Sequence, residues 1–277
     1  MLINSVDLLA DAKAKGYAVV AANYFDMLSA RTLTAAAEEI NSPLILAFAQ
    51  VHHDTGVLSL EEAALIGKFY AERSSAPVVL HLDHGTDEAF IERAMALGFS
   101  SVMLDASMDP YEENVRRTKA VVTMAHALGL SVEAEIGHVG TGENYNSTAD
   151  SDSVYTTVSD ARSFAGQTGV DSLAVSIGTA HGVYKNNARP EIQFDLLHEI
   201  AAAVSIPLVL HGGSGTGDEN LSRCAHEGIS KINVFTDFMR GAMKQVKAES
   251  PAEYFALRSA AAAGMRQTLL HYIRLFS

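Results

Sequence analysis

Ala76-Pro77-Val78-Val79-Leu80-His81-Leu82-Asp83-His84-Gly85 is an apolar run, opened by a proline, that ends abruptly in two histidines, an aspartate and a glycine. A strand this short and this apolar is buried on both faces, as in a parallel sheet, so its chemistry must sit at the polar end. Two later segments repeat the pattern: Ser172-Leu173-Ala174-Val175-Ser176-Ile177-Gly178-Thr179-Ala180-His181-Gly182 and Ile206-Pro207-Leu208-Val209-Leu210-His211-Gly212-Gly213. Each buried-looking strand closes on a histidine followed at once by glycine.

Outward from these segments the chain alternates strands and helices. Strands are predicted over Tyr17 to Ala22, Pro43 to Ala49, Pro77 to Leu82 and Ser100 to Leu104. Four more follow over Leu130 to Ile136, Ser172 to Ile177, Pro207 to Leu210 and Ile229 to Val234. Helical stretches lie between them, several stopped by glycine, as Gly98 and Gly129 illustrate. The polar segment from Gly137 to Tyr155 is long for a strand-to-helix connection, the mark of a functional loop. Strands joined by helical crossovers are parallel. Eight such units in 277 residues favour a closed single-domain (β/α)8 TIM barrel over residues 1–277, with no glycine fingerprint for a dinucleotide.

Composition sets further bounds. A hydrophobic share of 48% fills a large core, and no window has the apolar length of a membrane span. The start of the chain shows no secretory signal, and the single Cys224 has no partner for an internal disulfide; both point to the cytoplasm. A net charge of −13 argues against nucleic acid as a partner. It leaves room for a phosphorylated metabolite, because glycine-rich turns and helix N-termini bind phosphate without net positive charge.

In such a barrel the strands' C-terminal ends form the catalytic face. They carry Asn23, Asp83, His84, Asp105, Glu135, His181, His211 and Asn233. Any one histidine alone reads as an ordinary core or loop residue. Three at equivalent positions (His84, His181 and His211) match a catalytic zinc site with one open position. His81 lies three residues deeper and is set aside. Asp83 reads either as an orienting partner of a histidine or as a group that moves a proton on a bound hydroxyl. Asp105 and Glu135 read as supports of the ligands or as a second metal position.

The turn His211-Gly212-Gly213-Ser214-Gly215 runs into a helix and offers an anion nest; Gly182 and Lys185 flank another turn, and Asn233 and Thr236 close the last strand. The loops after the last two strands are the usual phosphate site of this fold. Zinc beside a phosphate pocket suits cleavage of a phosphorylated ketose, with the metal as electron sink. The rival sink is a Schiff-base lysine. Lys231, read as opening the last strand at the wrong end, and Lys185, in a loop, do not suit that role.

These motifs, together with Val132-Glu133-Ala134-Glu135-Ile136-Gly137 and Lys231-Ile232-Asn233-Val234-Phe235-Thr236, resemble those of the class II, zinc-dependent ketose-bisphosphate aldolases, which act on fructose or tagatose bisphosphate. The resemblance implies zinc on His84, His181 and His211, a secondary metal position at Asp105 and Glu135, and Asp83 as the acid/base. It places Gly182, Lys185, Gly213, Ser214, Asn233 and Thr236 around the phosphate of dihydroxyacetone phosphate, and makes Glu143 the loop residue that exchanges the proton on the enediolate carbon. It also implies a monovalent cation (Na+ or K+) and a homodimer or homotetramer. Ala49 stands where many fructose-bisphosphate enzymes carry serine. Ser250-Pro251-Ala252 stands where they often carry Asp-Pro-Arg, with Arg258 the candidate replacement. These departures fall on the aldehyde half of the substrate. A zinc barrel hydrolase is the rival reading, but Tyr17 to Asn23 lacks its His-x-His pair; a catalytically silent relative is another.

Overall fold

A computed structural model describes residues 1–140, 154–182 and 190–277. Its sheet has nine parallel strands, of which β2 (Val19–Asn23), β3 (Leu44–Ala49), β4 (Val78–Gly85), β5 (Ser101–Leu104), β6 (Ser131–Ile136), β7 (Ser172–Val175), β8 (Leu208–Leu210) and β9 (Ile229–Val234) close into a ring. The closing seam pairs Val19 with Lys231 and Ala21 with Asn233. The expected (β/α)8 barrel is the fold found. Among the described residues no helix is long and apolar enough to cross a membrane.

Two elements at the start of the chain lie outside the predicted alternation. β1 (Leu2–Ile3) pairs with Val78 and Val79, below the level at which β5 joins β4 at His81. It therefore fills the lower part of the seam between β4 and β5. Helix α1 (Val6–Lys15) follows, and its buried Leu9 and Ala12 pack with Val19, Ala21, Ile45 and Val79 to plug the N-terminal end of the barrel.

The period-two alternation of each strand sorts side chains to two sides. Val20, Ala22, Leu44, Leu46, Phe48, Leu80 and Leu82 face outward into one large apolar layer beneath the helices. Each fully buried aliphatic there contributes about 1.5–3 kcal/mol. That layer meets α2 (Met27–Glu39), α4 (Leu60–Arg73), α5 (Glu88–Leu97), α6 (Tyr111–Ala127), α7 (Val158–Thr168), α8 (Phe194–Ala203) and α9 (Asp218–Glu227). Two helices complete the chain, α10 (Thr236–Glu249) and α11 (Tyr254–Phe276). Capping boxes at Asp26 and Ser59 open α2 and α4, and Gly98, with φ of 100°, closes α5 as predicted.

The inward positions, odd-numbered on every ring strand but β7, fill the barrel and change character with height. Apolar Val19, Ala21, Ile45 and Val79 form the floor, and buried His81, Ser101, Glu133 and Lys231 the layer above. Asn23, Asp83, Glu135 and Asn233 form the top. The interior thus passes from hydrocarbon to charge as it approaches the C-terminal rim.

Candidate active site

Strand β4 extends through Gly85, three residues beyond its predicted end, and its register against β5 shifts between Leu82 and Gly85. Strict alternation would send Asp83 inward and His84 outward. The irregularity, with His84 in the left-handed region at φ 47°, lets both neighbours face the same cavity. A bulge that re-aims a side chain is a familiar device beside active sites.

His84 there meets His181, in the loop after β7, and His211, at the end of β8. Ring centroids are 4.9 Å apart for His84 and His181, 4.5 Å for His84 and His211, and 5.9 Å for His181 and His211. One nitrogen from each lies within 4.8 Å of the others. The loops that carry them interlock through their main chains. Gly212 has φ 70°, and a Cβ there would stand 2.6 Å from the Ala180 carbonyl oxygen, so only glycine fits. Thr179 Oγ1 donates to the His211 carbonyl at 2.7 Å, and the His181 N–H donates to the Gly140 carbonyl at 2.8 Å.

Each ring is oriented by its surroundings. His84 Nδ1 is 2.7 Å from Asp105, whose other oxygen accepts from the Ser107 N–H and hydroxyl. His211 Nε2 is 2.9 Å from Glu133, and its fully buried Nδ1 has no hydrogen-bond partner among the described residues. Glu135 accepts from the Val139 N–H through Oε1, while its buried Oε2 likewise has none. Asp105 and Glu135 form a second group of potential ligand atoms with His84. The structure therefore brings together both sets of sequence-predicted metal ligands, with His84 common to the two.

The electrostatics suit a cation. Burial pushes His84 down, but Asp83, Asp105 and Glu135 outweigh it and lift its pKa to about 10. The negative charges that hold this proton also favour a cation in its place. Burial, with His84 and His211 nearby, pushes His181 down to about 3, and His211 also shifts down, chiefly through burial. Both are thereby kept as neutral donors, the form a metal needs. Burial and the nearby Asp105 push Glu135 up to about 8. Three imidazoles, a lone buried ring nitrogen and an adjoining pair of carboxylates fit zinc.

Asp83 is buried beside this cluster, and both its oxygens are gripped. Asn23 Nδ2 donates at 2.8 Å and Asn233 Nδ2 at 2.9 Å. Burial pushes the carboxyl up, yet the positive charges at His84 and Lys231 outweigh it and hold the group well below the usual carboxylate range. Asn23 and Asn233, read from the sequence as substrate-binding, both line the cavity, and each spends one amide N–H on Asp83.

The cavity has a volume of about 490 Å3. Gly182, Gly213, Ser214 and Thr236 line one side, at the start of α10. Ser214 Oγ accepts from the Phe235 and Asp237 N–H groups at 3.2 Å, tying the glycine turn to the helix N-terminus. Ala49, Val51, His52 and Phe235 line another part. Arg258 is not among the lining residues; its guanidinium lies 5.8 Å from the Tyr254 ring on α11. Glu143 and Lys185 lie outside the described residues.

Sequence reasoning missed several groups. His52 sits on the short helix α3 (Gln50–Asp54), with its ring 4.9 Å from Phe235. His138 also reaches the cavity. Lys231, expected at the wrong end of its strand, is the third residue of β9 and fully buried inside the barrel. It pairs with Glu133 at 2.6 Å. The alternating Glu133 and Glu135 signalled that both carboxylates share a face, but not which one would meet a lysine.

Comparison with known proteins agrees with this geometry. The family model described as fructose-bisphosphate aldolase class-II matches residues 3–277. The fructose-bisphosphate aldolase of Thermus caldophilus is 36% identical, over 92% of this chain and 90% of its own. The D-tagatose-1,6-bisphosphate aldolase subunit GatY of Klebsiella oxytoca is 38% identical, over 90% and 88%. The crystal structure of the YdjI aldolase from Escherichia coli superposes with a TM-score of 0.89 at 34% identity, covering 100% of this chain and 98% of that one.

Proposed function

Because the chain belongs to the class-II fructose-bisphosphate aldolase family, and is therefore a carbon–carbon lyase, we propose that it uses zinc to cleave a phosphorylated ketose reversibly into dihydroxyacetone phosphate and an aldehyde. The observation that carries this reading is the Asp83 carboxylate, clamped by two asparagines directly beside three converging histidines.

His84, His181 and His211 would hold the zinc, which when bound would supply Lewis-acid polarisation of the substrate. The protein's own groups do the rest. Asp83, kept ionised, takes the proton of the hydroxyl on the carbon that becomes the aldehyde. The oxygen's electrons form the new carbonyl, the adjacent carbon–carbon bond breaks, and its electron pair passes to the dihydroxyacetone phosphate half. Glu143 returns a proton to that carbon. The Asn23 and Asn233 amides keep Asp83 in one orientation through the cycle. Gly182, Gly213, Ser214, Asn233 and Thr236 hold the phosphate near the N-terminus of α10, whose dipole favours an anion, and Lys185 is its expected cationic partner.

The first reading of the substrate is a ketose 1,6-bisphosphate of the fructose or tagatose kind, with glyceraldehyde 3-phosphate as the aldehyde. The names of the Thermus and Klebsiella relatives support it. One observation favours a second reading, an aldehyde without phosphate. Among the described residues lining the cavity there is no lysine or arginine, and Ala49 and Phe235 form part of its wall. Product analysis with dihydroxyacetone phosphate and a panel of phosphorylated and plain aldehydes separates the two. Full chelation should abolish cleavage, and borohydride with substrate should trap no adduct; activity that survives metal removal would sink the zinc reading.

The protein is further proposed to be cytoplasmic and a homodimer or homotetramer. The lone buried Cys224 supports the first, and exposed Tyr254, Phe255 and Leu257 on α11 the second. Sedimentation of the purified chain tests the assembly.

A further inference from the structure

One layer below the histidines lies a chain of buried polar groups that the reaction does not use. Lys231 Nζ stands 2.8 and 2.6 Å from the two oxygens of Glu133. The same Glu133 Oε1 receives His211 Nε2 at 2.9 Å. Lys231 also lies 3.4 Å from His81 Nε2, and His81 Nδ1 is 2.9 Å from Ser101 Oγ. Side chains of Lys231 and Glu133 are 1% and 2% exposed, and neither lines the cavity.

Stability gives no sufficient reason for this pair. A buried ion pair forfeits so much hydration that well-packed apolar residues often replace it without loss. Its geometry supplies another reason. A carboxylate only accepts hydrogen bonds. With both oxygens anchored by Lys231, Glu133 can present Oε1 to His211 in one way, and the ring must donate from Nε2. The lone pair then resides on Nδ1, the buried atom with no partner among the described residues. We infer that Lys231, acting through Glu133, is a positioning residue that fixes the tautomer of His211 and thereby the nitrogen offered to the metal. The inference rests on the zinc reading above. It also gives the inward face of β9 a task distinct from that of Asn233 two residues later, which holds Asp83.

The test uses the full chain, stripped of metal and titrated with Zn2+ alone against a chromophoric chelator. Nitrogen-15 long-range correlation spectra report the His211 tautomer in parallel. The wild-type ring should carry its proton on Nε2. Lys231→Met and Glu133→Gln should each weaken zinc binding about 10- to 100-fold and mix the tautomers, with circular dichroism unchanged. The double variant Lys231→Met/Glu133→Leu fills the space with hydrocarbon and covers the case in which the single variants fold poorly; it too should lose zinc affinity. Wild-type affinity in the double variant, or a wild-type His211 protonated on Nδ1, overturns the inference. A wild-type protein that takes up no zinc overturns the zinc reading instead, while the spectrum still reports the tautomer.

Discussion

The barrel has a cavity at each end, of nearly equal size: about 490 Å3 at the C-terminal rim and about 460 Å3 at the opposite face. The lower one is lined by Lys15, Tyr17, Ser42, His226, Ile273 and Ser277, among others. Its polar groups are at the surface or already engaged. Lys15 is exposed and paired with Asp11, and the His226 ring nitrogens face the Ser222 and Ser277 carbonyls. The upper cavity contains Asp83, His84, Asp105, His181 and His211, all with pKa values shifted by burial and by one another. Room for a small molecule is therefore common to both ends. Buried titratable groups with displaced pKa values belong to the rim, and that marks a chemical site.

The sharpest break of this contrast is His211→Ala, which should remove zinc binding and cleavage together, to background in both a metal titration and an aldolase assay. Asp83→Ala should keep the metal and lower kcat by about 10²- to 10⁴-fold, the usual worth of a positioned acid/base. Loss of zinc in that variant would merge two roles the structure separates. Glu143→Ala should slow exchange of the dihydroxyacetone phosphate methylene proton by a factor in the same range, measured by deuterium incorporation. An unchanged exchange rate removes Glu143 from the mechanism.

Protonation offers a gentler probe. Folding raises Glu135 to about 8 and His84 to about 10, so between pH 6.5 and 8 the folded chain holds more protons at these groups than the unfolded chain does. Their contribution to the stability of the metal-free protein should accordingly fall as pH rises through that window. The slope is at most about 1.4 kcal/mol per pH unit for each group. Zinc must displace the His84 proton, so the zinc-induced rise in Tm should grow over the same interval. A rise that shrinks instead would contradict the assignment of His84 as a ligand. The smallest effect belongs to the lower face: His226→Ala should leave kcat/KM within about twofold, as a surface substitution away from the site does.

Much of the rim was legible because each strand announces its own end. The apolar runs before Asp83, His181 and His211 fixed where the polar residues would emerge, and the barrel's closure did the gathering. Less legible was whatever depends on two strands at once. Nothing near Glu133 indicates that it faces Lys231, 98 residues later, and nothing near Asp83 indicates two asparagine partners, one 60 residues before and the other 150 after. The left-handed His84 was hidden too, since an Asp-His pair in an ideal strand would point to opposite sides. Helix α1 and strand β1 escaped because α1 buries only Leu9 and Ala12 and β1 is two residues that pair with distant β4.

The seam between β2 and β9 carries a consequence for how the chain reaches its native state. It joins Val19 to Lys231, more than two hundred residues apart, so the contact that completes the ring is among the more remote in the chain and of the slowest kind to form. Until β9 docks, Glu133 lacks its lysine and Asp83 lacks Asn233, leaving acid groups in a half-built interior. Partial barrels should therefore be short-lived, and the last strand should arrive in one cooperative step that creates the reactive rim and seals the fold together.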